Sequence, residues 1–209
     1  TMPEVDIFLG NNQKNHVVSY LEEYQKNRAK QNHIIDINSE SAYESFAISN
    51  TVSNSRAYVK VQDGCNRFCT YCIIPYVRGR VRSRSLNDVI DEVKALAASG
   101  FKEIVVTGIH VTSYGMDIED DDINFTNLLV SLSEIDGIER IRLGSLEPNI
   151  VTEGFVNTVA KLDKVCPHFH LSLQSACNKT LRSMNRFYTV EKYMTQIEQI
   201  NKMFHLPFV

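Results

Sequence analysis

The chain has 209 residues, 43% of them hydrophobic, enough apolar material for a sizeable core in one large domain or in one domain and part of another. A net charge of -3 excludes a globally basic nucleic-acid binder, so any such contact has to come from a local patch or from segments outside the chain. Five cysteines, no apolar run of membrane-span length and no secretory leader favour a reducing, cytoplasmic setting without a membrane partner.

The start at Thr1 and the apolar HLPFV at the other end read as cuts from something longer. Residues 5–9 (VDIFL) form an apolar run closed by Gly10, Asn11 and Asn12, and Val17, Val18, Leu21 and Tyr24 recur at helical spacing, which predicts one strand and one helix. That pair cannot bury its own faces, so residues 1–30 are assigned to the tail of a separate α/β domain. Residues 31–55 are polar and read as a linker, with Ile34, Ile35, Ile37 and Phe46 to Ile48 as apolar anchors and a short strand at 34–37. The main domain is assigned to 56–209. It opens with a strand at 57–62, a cysteine loop, and a helix over 86–98 that has Ser85 as N-cap and Asp88 three residues on. Then come a strand at 103–107, a polar loop with Asp117 and Asp120 to Asp122, a helix at 125–132, a strand at 140–144 and a helix at 152–162. A strand at 168–173, a short helix after Asn178 and a longer one over 190–204 complete the series.

Strands alternating with helices predict an α/β fold with a parallel sheet. Tyr58, Lys60 and Gln62 alternate with Val59 and Val61, Arg140 and Arg142 with Ile141 and Leu143, and His168, His170 and Ser172 with Phe169, Leu171 and Leu173. A sheet covered on both sides would be apolar on both. One polar face therefore predicts a curled sheet with a substrate-filled lumen, a partial TIM-like parallel β/α barrel, with LPFV opening a fifth strand.

The stretch DGCNRFCTYCIIPYVRGRVRSRS (63–85) puts three cysteines into eight residues and follows them with four arginines. Cys65, Cys69 and Cys72 sit after a strand and before a helix, at the sheet edge where α/β proteins build their sites. Three thiolates on a tight loop can wrap one corner of a metal cluster, and a four-iron cluster so held keeps one iron open to a ligand with a free amine and carboxylate. Other fates stay open on the residues alone. A structural zinc needs a fourth ligand, for which Cys166, His168 and His170 are the nearest candidates, about a hundred residues on. A disulfide would leave an odd thiol, and three packed structural thiols are a further option.

The motif C-x-x-x-C-x-aromatic-C resembles the radical S-adenosylmethionine enzymes, and GCNRFCTYCIIPYVRGRVRSRS is similar to the tRNA and ribosomal-protein methylthiotransferases. VTGIHVTSYG, RLGSLEP and HFHLSLQSACNKTLRSMNRFYT look most like the branch that methylthiolates C2 of N6-threonylcarbamoyladenosine beside the tRNA anticodon, rather than the isopentenyladenosine or ribosomal-protein branches. The resemblance covers 1–209. It implies a radical S-adenosylmethionine half-barrel over 56–209, incomplete at its C-terminus, after the tail of the N-terminal methylthiotransferase domain. It also implies a [4Fe-4S] cluster on Cys65, Cys69 and Cys72 whose open iron chelates S-adenosylmethionine, with Tyr71 against the cofactor's adenine. Reductive cleavage of that cofactor gives a deoxyadenosyl radical that takes hydrogen from adenine C2, and a second cofactor molecule methylates the inserted sulfur. The implied partners are the tRNA anticodon loop and an electron donor, and no DNA. The family's second [4Fe-4S] cluster is held by three cysteines of the N-terminal domain; no cysteine precedes Cys65, so it is expected only in the full-length protein.

Around that centre, Arg78, Arg80, Arg82 and Arg84 alternate at period two and would project to one side of an extended loop as a cationic strip for tRNA phosphates or the cofactor carboxylate. Gly108 permits close backbone approach to a ligand, and His110 and Tyr114 follow it. Ser172 and Gln174 are candidates for the cofactor ribose or substrate, and Glu147 for the cofactor, against a role as a turn cap. Cys177 reads as a packed small residue more than an activated thiol. Phe68, Tyr76 and Tyr114 could stack on an unpaired base. Asp117 and Asp120 to Asp122 lack the glycine and glutamate of a calcium loop and read as solvated. From a different class, a non-catalytic RNA-binding module stapled by zinc uses the same cysteines.

Overall fold

The computed structural model describes residues 2–44, 55–205 and 207–209. β1 (Ile7–Leu9), α1 (Val17–Asn27) and β2 (Gln31–His33) form a first unit, its two strands paired in parallel with Ile7 opposite Gln31. The helix stops where Arg28 enters the left-handed region at φ 54° and its N–H closes on the Tyr24 carbonyl. None of its residues is buried, and Val18 and Leu21 are exposed. The strand expected at 34–37 is displaced to Gln31–His33, because pairing with β1 decides the strand and apolar content does not. Ile37 instead opens a single 3-10 turn over which the Asp36 carboxylate accepts from Asn38 N–H. The anchors expected at Phe46 to Ile48 lie outside the described residues.

The main sheet holds β3 (Ala57–Asp63), β4 (Arg82–Ser83), β5 (Glu103–Gly108) and β6 (Arg140–Leu143) in the order β4-β3-β5-β6. β3, β5 and β6 are parallel, and β4 is a two-residue antiparallel stub on the edge of β3. Between them run α2 (Ile74–Val77), α3 (Leu86–Ala98) and α4 (Phe125–Ser133), followed by α5 (Glu153–Val159), α6 (Asn178–Ser183) and α7 (Val190–Met203). Side-chain caps start the longer helices: Ser85 accepts from Asp88 N–H, the cap expected from the sequence, and Thr189 accepts from Lys192 N–H. Beyond β6 the sheet continues by single parallel bridges, Ile141 with Val165, Leu146 with Leu171 and His168 with Phe208. The strand expected at 168–173 is thus present only as bridges. Pro167 brings no N–H to the ladder there, although its carbonyl still accepts from Phe208 N–H. Leu206 lies outside the described residues.

Alternation sorts the faces as read. Val59, Val61, Ile104, Val106, Ile141 and Leu143 are at most 2% exposed and pack against Val89, Val93 and Leu96 of α3 and Leu128, Leu129 and Leu132 of α4. Each such burial stabilises by about 1.5–3 kcal/mol, so this face holds the domain together. On the opposite face Tyr58 is exposed, and at the N-terminal edge Glu103 gathers Arg140 (2.9 Å), Arg142 (3.2 Å) and Arg56 (3.6 Å). At that end the chain's own charges pair with one another. Among the described residues no helix is long and apolar enough to cross a membrane.

Candidate functional site

The cysteine loop leaves β3 through a turn that only glycine tolerates. Gly64 has φ +70°, and a Cβ there would stand 1.8 Å from the Arg80 carbonyl oxygen. That carbonyl lies close because the loop folds back on itself: Cys65 N–H donates to Gly79 O (3.1 Å) and Val81 N–H to Asn66 Oδ1 (3.2 Å). Asp63 ties the two legs, accepting from Gly64 N–H (2.8 Å) and Lys60 Nζ (2.7 Å), with Arg78 at 3.5 Å and Arg82 at 4.0 Å. Burial pushes its carboxyl up, but Lys60, Gly64 N–H and Arg78 outweigh that and hold it below the ordinary carboxylate value. Gln62, fully buried, donates to the Asp63 and Gly64 carbonyls (2.6 and 2.7 Å) and accepts from His110 N–H (2.8 Å). The loop after β5 is thereby tied to the loop after β3. Gly108 faces this same side chain, and a Cβ at that position would stand only 3.0 Å from Gln62 Oε1, so close packing gives that glycine its reason.

Cys65 and Cys69 are buried, Cys72 is half-buried, and all three are free thiols. Arg67 N–H donates to Cys65 Sγ (3.4 Å), and the Arg186 guanidinium donates to Cys69 Sγ (3.3 Å). Burial pushes the Cys65 thiol up against the lowering pull of the Arg67 N–H, and the two neighbouring thiols add to the rise. Among the described residues no three His, Cys, Asp or Glu side chains are grouped to hold a metal ion. Cys166 lies at the other edge of the sheet, its N–H on Ile141 O near Glu103 and Arg142, so it does not complete a zinc site with the loop. A four-iron cluster takes its thiolates at separate corners, and an all-sulfur donor set with N–H groups on two of the sulfurs fits its chemistry.

A second segment grips the loop from far along the chain. Asn185, in the left-handed region at φ 57°, donates to the carbonyls of Arg67 (3.3 Å) and Phe68 (3.1 Å). Thr70 N–H and Oγ1–H donate to Met184 O and Ser183 O. Tyr188 O–H donates to the carbonyls of Ser172 (2.5 Å) and Leu173 (2.7 Å), so the grip extends to the bridge strand. Sequence reasoning missed Gln62, Arg67, Asn185 and Arg186. A polar residue on a buried strand was a visible signal for Gln62; contacts 80 or more residues apart leave no periodicity for the others.

The structure brings several expected residues to this edge. Glu147 is buried, its carboxylate accepting from Arg67 Nη2 (3.2 Å) and Asn149 Nδ2 (3.0 Å). Its partners are therefore protein groups, beyond either role expected of it. Gln174 is exposed with φ 65°, and Ser172 is half-buried. Tyr71 is exposed beside Cys69 and Arg186. His110 presents Nδ1 to Ser113 Oγ (2.7 Å) and keeps Nε2 buried with no partner. Burial first, then the Arg67 and Arg186 charges, lower its pKa to about 4, so the ring is neutral.

Other expectations are corrected. The four arginines make no one-sided strip: Arg82 and Arg84 are buried, 1% and 5% exposed, against Asp63 and Glu92 respectively. The loop is not extended in solvent, since β4 pairs with β3 and draws both side chains inward. Arg80 alone is exposed, 4.5 Å over the Phe68 ring, and Arg78 is half-buried. Tyr114 is 2% exposed in the core and unavailable to a base. Cys177 is exposed rather than packed, its thiol pushed down by the Thr180 N–H. Asp117 is no free solvated acid, because it accepts from Ser83 N–H (2.8 Å) and Oγ–H (2.5 Å).

The profile of the Radical SAM superfamily matches residues 59–206. A tRNA-2-methylthio-N(6)-dimethylallyladenosine synthase of Thermoanaerobacter pseudethanolicus is 49% identical over 148 residues, covering 71% of this chain and 31% of the relative. The threonylcarbamoyladenosine tRNA methylthiotransferase MtaB of Aquifex aeolicus is 41% identical over 192 residues, 92% of this chain and 46% of the relative. The chain thus spans less than half the length of these curated relatives. The solved structure of the cobalamin-dependent S-adenosylmethionine radical enzyme OxsB matches with a TM-score of 0.62 at 13% identity, over 91% of this chain and 31% of that one, a likeness of fold alone.

Proposed function

The chain belongs to the radical SAM superfamily, and from that premise we propose that it is the cluster-binding core of a tRNA methylthiotransferase acting on N6-threonylcarbamoyladenosine. The observation that carries this reading is the cysteine loop: three free thiols at the C-terminal edge of a parallel sheet, two of them receiving N–H donors. Cys65, Cys69 and Cys72 hold the [4Fe-4S] cluster. When bound, the cluster and S-adenosylmethionine supply reductive cleavage of the sulfonium and a radical able to abstract hydrogen from an adenine carbon.

The chain's own residues position what reacts. Tyr71 would lie against the cofactor's adenine and Ser172 and Gln174 would meet its ribose, while Gly108 packs closely on Gln62 and Glu147 holds Arg67. Tyr76, Ile73 and Phe187 are exposed around the loop, with Arg80 over Phe68 and Arg67 5.5 Å over Phe187. Exposed rings interleaved with guanidinium groups suit stacking on the unpaired bases of an anticodon loop. Arg78 and Arg80 are the arginines left to meet phosphate. A separate donor would supply the electron, and a second cluster, expected only in the full-length protein, would supply the inserted sulfur.

The 49% identity to the dimethylallyladenosine enzyme favours a second reading, the same chemistry on a prenylated adenosine. Nucleoside analysis of tRNA from a strain lacking the gene separates them. We expect the methylthio group to vanish from threonylcarbamoyladenosine; its loss from the prenylated nucleoside selects the second reading, and retention on both overturns the tRNA assignment.

A further inference from the structure

We propose that Arg186 is a positioning residue that sets the reduction potential of the cluster from outside its ligand set, through the sulfur of Cys69. The inference rests on the reading that Cys65, Cys69 and Cys72 hold a cluster. Arg186 Nη1–H donates to Cys69 Sγ at 3.3 Å, and its Nε–H donates to Tyr188 O–H at 3.3 Å. The guanidinium carbon stands 5.1 Å over the Tyr188 ring, and Tyr188, itself 5% exposed, is anchored to two carbonyls of the bridge strand.

Among the described residues two arginines donate to cysteine sulfurs, Arg67 through its backbone N–H and Arg186 through its guanidinium, and their side-chain charges differ in one respect. Arg67 carries its charge to Glu147, whereas among the described residues no carboxylate pairs with Arg186. Its cation is directed at a thiolate sulfur and at neutral groups. A guanidinium stays charged at any working pH, so the charge is a fixed property of the site.

That charge has a definite consequence for reduction. A [4Fe-4S] cluster on three thiolates carries one net negative charge when oxidised and two when reduced; the single electron comes from a low-potential donor that is oxidised by one, and no proton has to move. A cation and an N–H at one of the sulfurs stabilise the more negative state, so Arg186 raises the potential. The clamp itself does not need this head group. Asn185, Met184 and Ser183 make their bonds to the cysteine loop through other atoms. Charge and clamp are therefore separable by substitution.

The test is an EPR-monitored redox titration of the intact protein with its clusters reconstituted anaerobically, using dithionite as reductant and following the signal whose line shape responds to added S-adenosylmethionine. Arg186→Met should load iron and sulfide as the parent does and lower the potential by 59 mV or more, a tenfold change in a one-electron reduction constant. Arg186→Lys should recover most of the shift, and Arg186→Gln, which keeps an N–H but no charge, should recover little. If Arg186→Met fails to load, the Lys and Gln variants decide between themselves: a Gln potential below that of Lys supports the inference, and equal potentials overturn it. An unmoved potential in a fully loaded Arg186→Met overturns it while leaving the cluster assignment intact. A parent protein whose iron content is indifferent to Cys69→Ala sinks the underlying reading instead.

Discussion

Glu103 begins β5 at one end of the sheet and Cys65 follows β3 at the other, and the two ends satisfy their polar groups in opposite ways. At the first, one carboxylate holds three arginines, and hydrogen bonding from Arg140, ahead of the charges of Arg142 and Arg56, keeps it below its ordinary value. At the second, among the described residues, Arg186 has a sulfur but no acid, His110 Nε2 is buried without a partner, and three thiols are free. A buried ring nitrogen without a partner beside three free thiols marks this edge as a place where binding can supply partners, although other buried unpaired atoms, such as His168 Nδ1 and Gln196 Oε1, lie elsewhere. Parallel strands place such sites at their C-terminal ends, and the closed N-terminal end is the matching scaffold.

Substitutions that break this contrast should differ in size. Gly64→Ala is expected to be the most damaging, since it forces a side chain into the left-handed region and against the Arg80 carbonyl. The backbone strain alone costs about 1–3 kcal/mol, and the 1.8 Å contact adds to it. Iron uptake on reconstitution should fall to background, as read by iron and sulfide assay.

His110 gives an effect of intermediate size that depends on pH. Its neutral ring is the folded form, with a pKa near 4 against 6.5 for the free side chain, so the unfolded state takes up a proton first as pH falls. Its contribution is complete above pH 6.5 and is lost progressively toward pH 4, to a total of about 3 kcal/mol. Urea unfolding of the metal-free protein at several pH values should show that slope, and His110→Gln should flatten it. A parallel pH dependence in the variant would place the titration elsewhere.

Glu103→Gln should be the mildest. The three arginine partners are partly exposed, so about 0.5–1 kcal/mol is expected at neutral pH. The depressed carboxyl means that this stabilisation is present above the ordinary value of 4.5 and disappears as pH falls through the lower folded value. Cluster loading should be unchanged. A loss of loading comparable to that of Gly64→Ala would show that the two ends are coupled.

The parts legible in the sequence are those governed by local rules. The α3 cap at Ser85, the alternation along β3 and β6, and the position of the cysteines after a strand all follow from periodicities of 3.6 and 2 or from short side-chain reach. The arginines failed that treatment. Alternation correctly put Arg82 and Arg84 on one side, but the acids that bury them, Asp63 and Glu92, come from β3 and α3, and sequence spacing does not reveal which acid a folded loop will meet. Tyr114 failed for the same reason, being drawn into the core by the 3-10 turn at Val111–Ser113 rather than left on a mobile loop. The grip of residues 183–188 on the cysteine loop is the extreme case, because every bond in it joins segments more than a hundred residues apart.

That separation also has a meaning in time. Cys69 leaves the ribosome 117 residues before Arg186, and at roughly 5–20 residues per second the nascent loop exists for roughly 6–23 s without the segment that fixes it. During that interval none of the bonds from residues 183–186 to the loop can form. The loop as folded is therefore completed only on a chain already translated past Arg186.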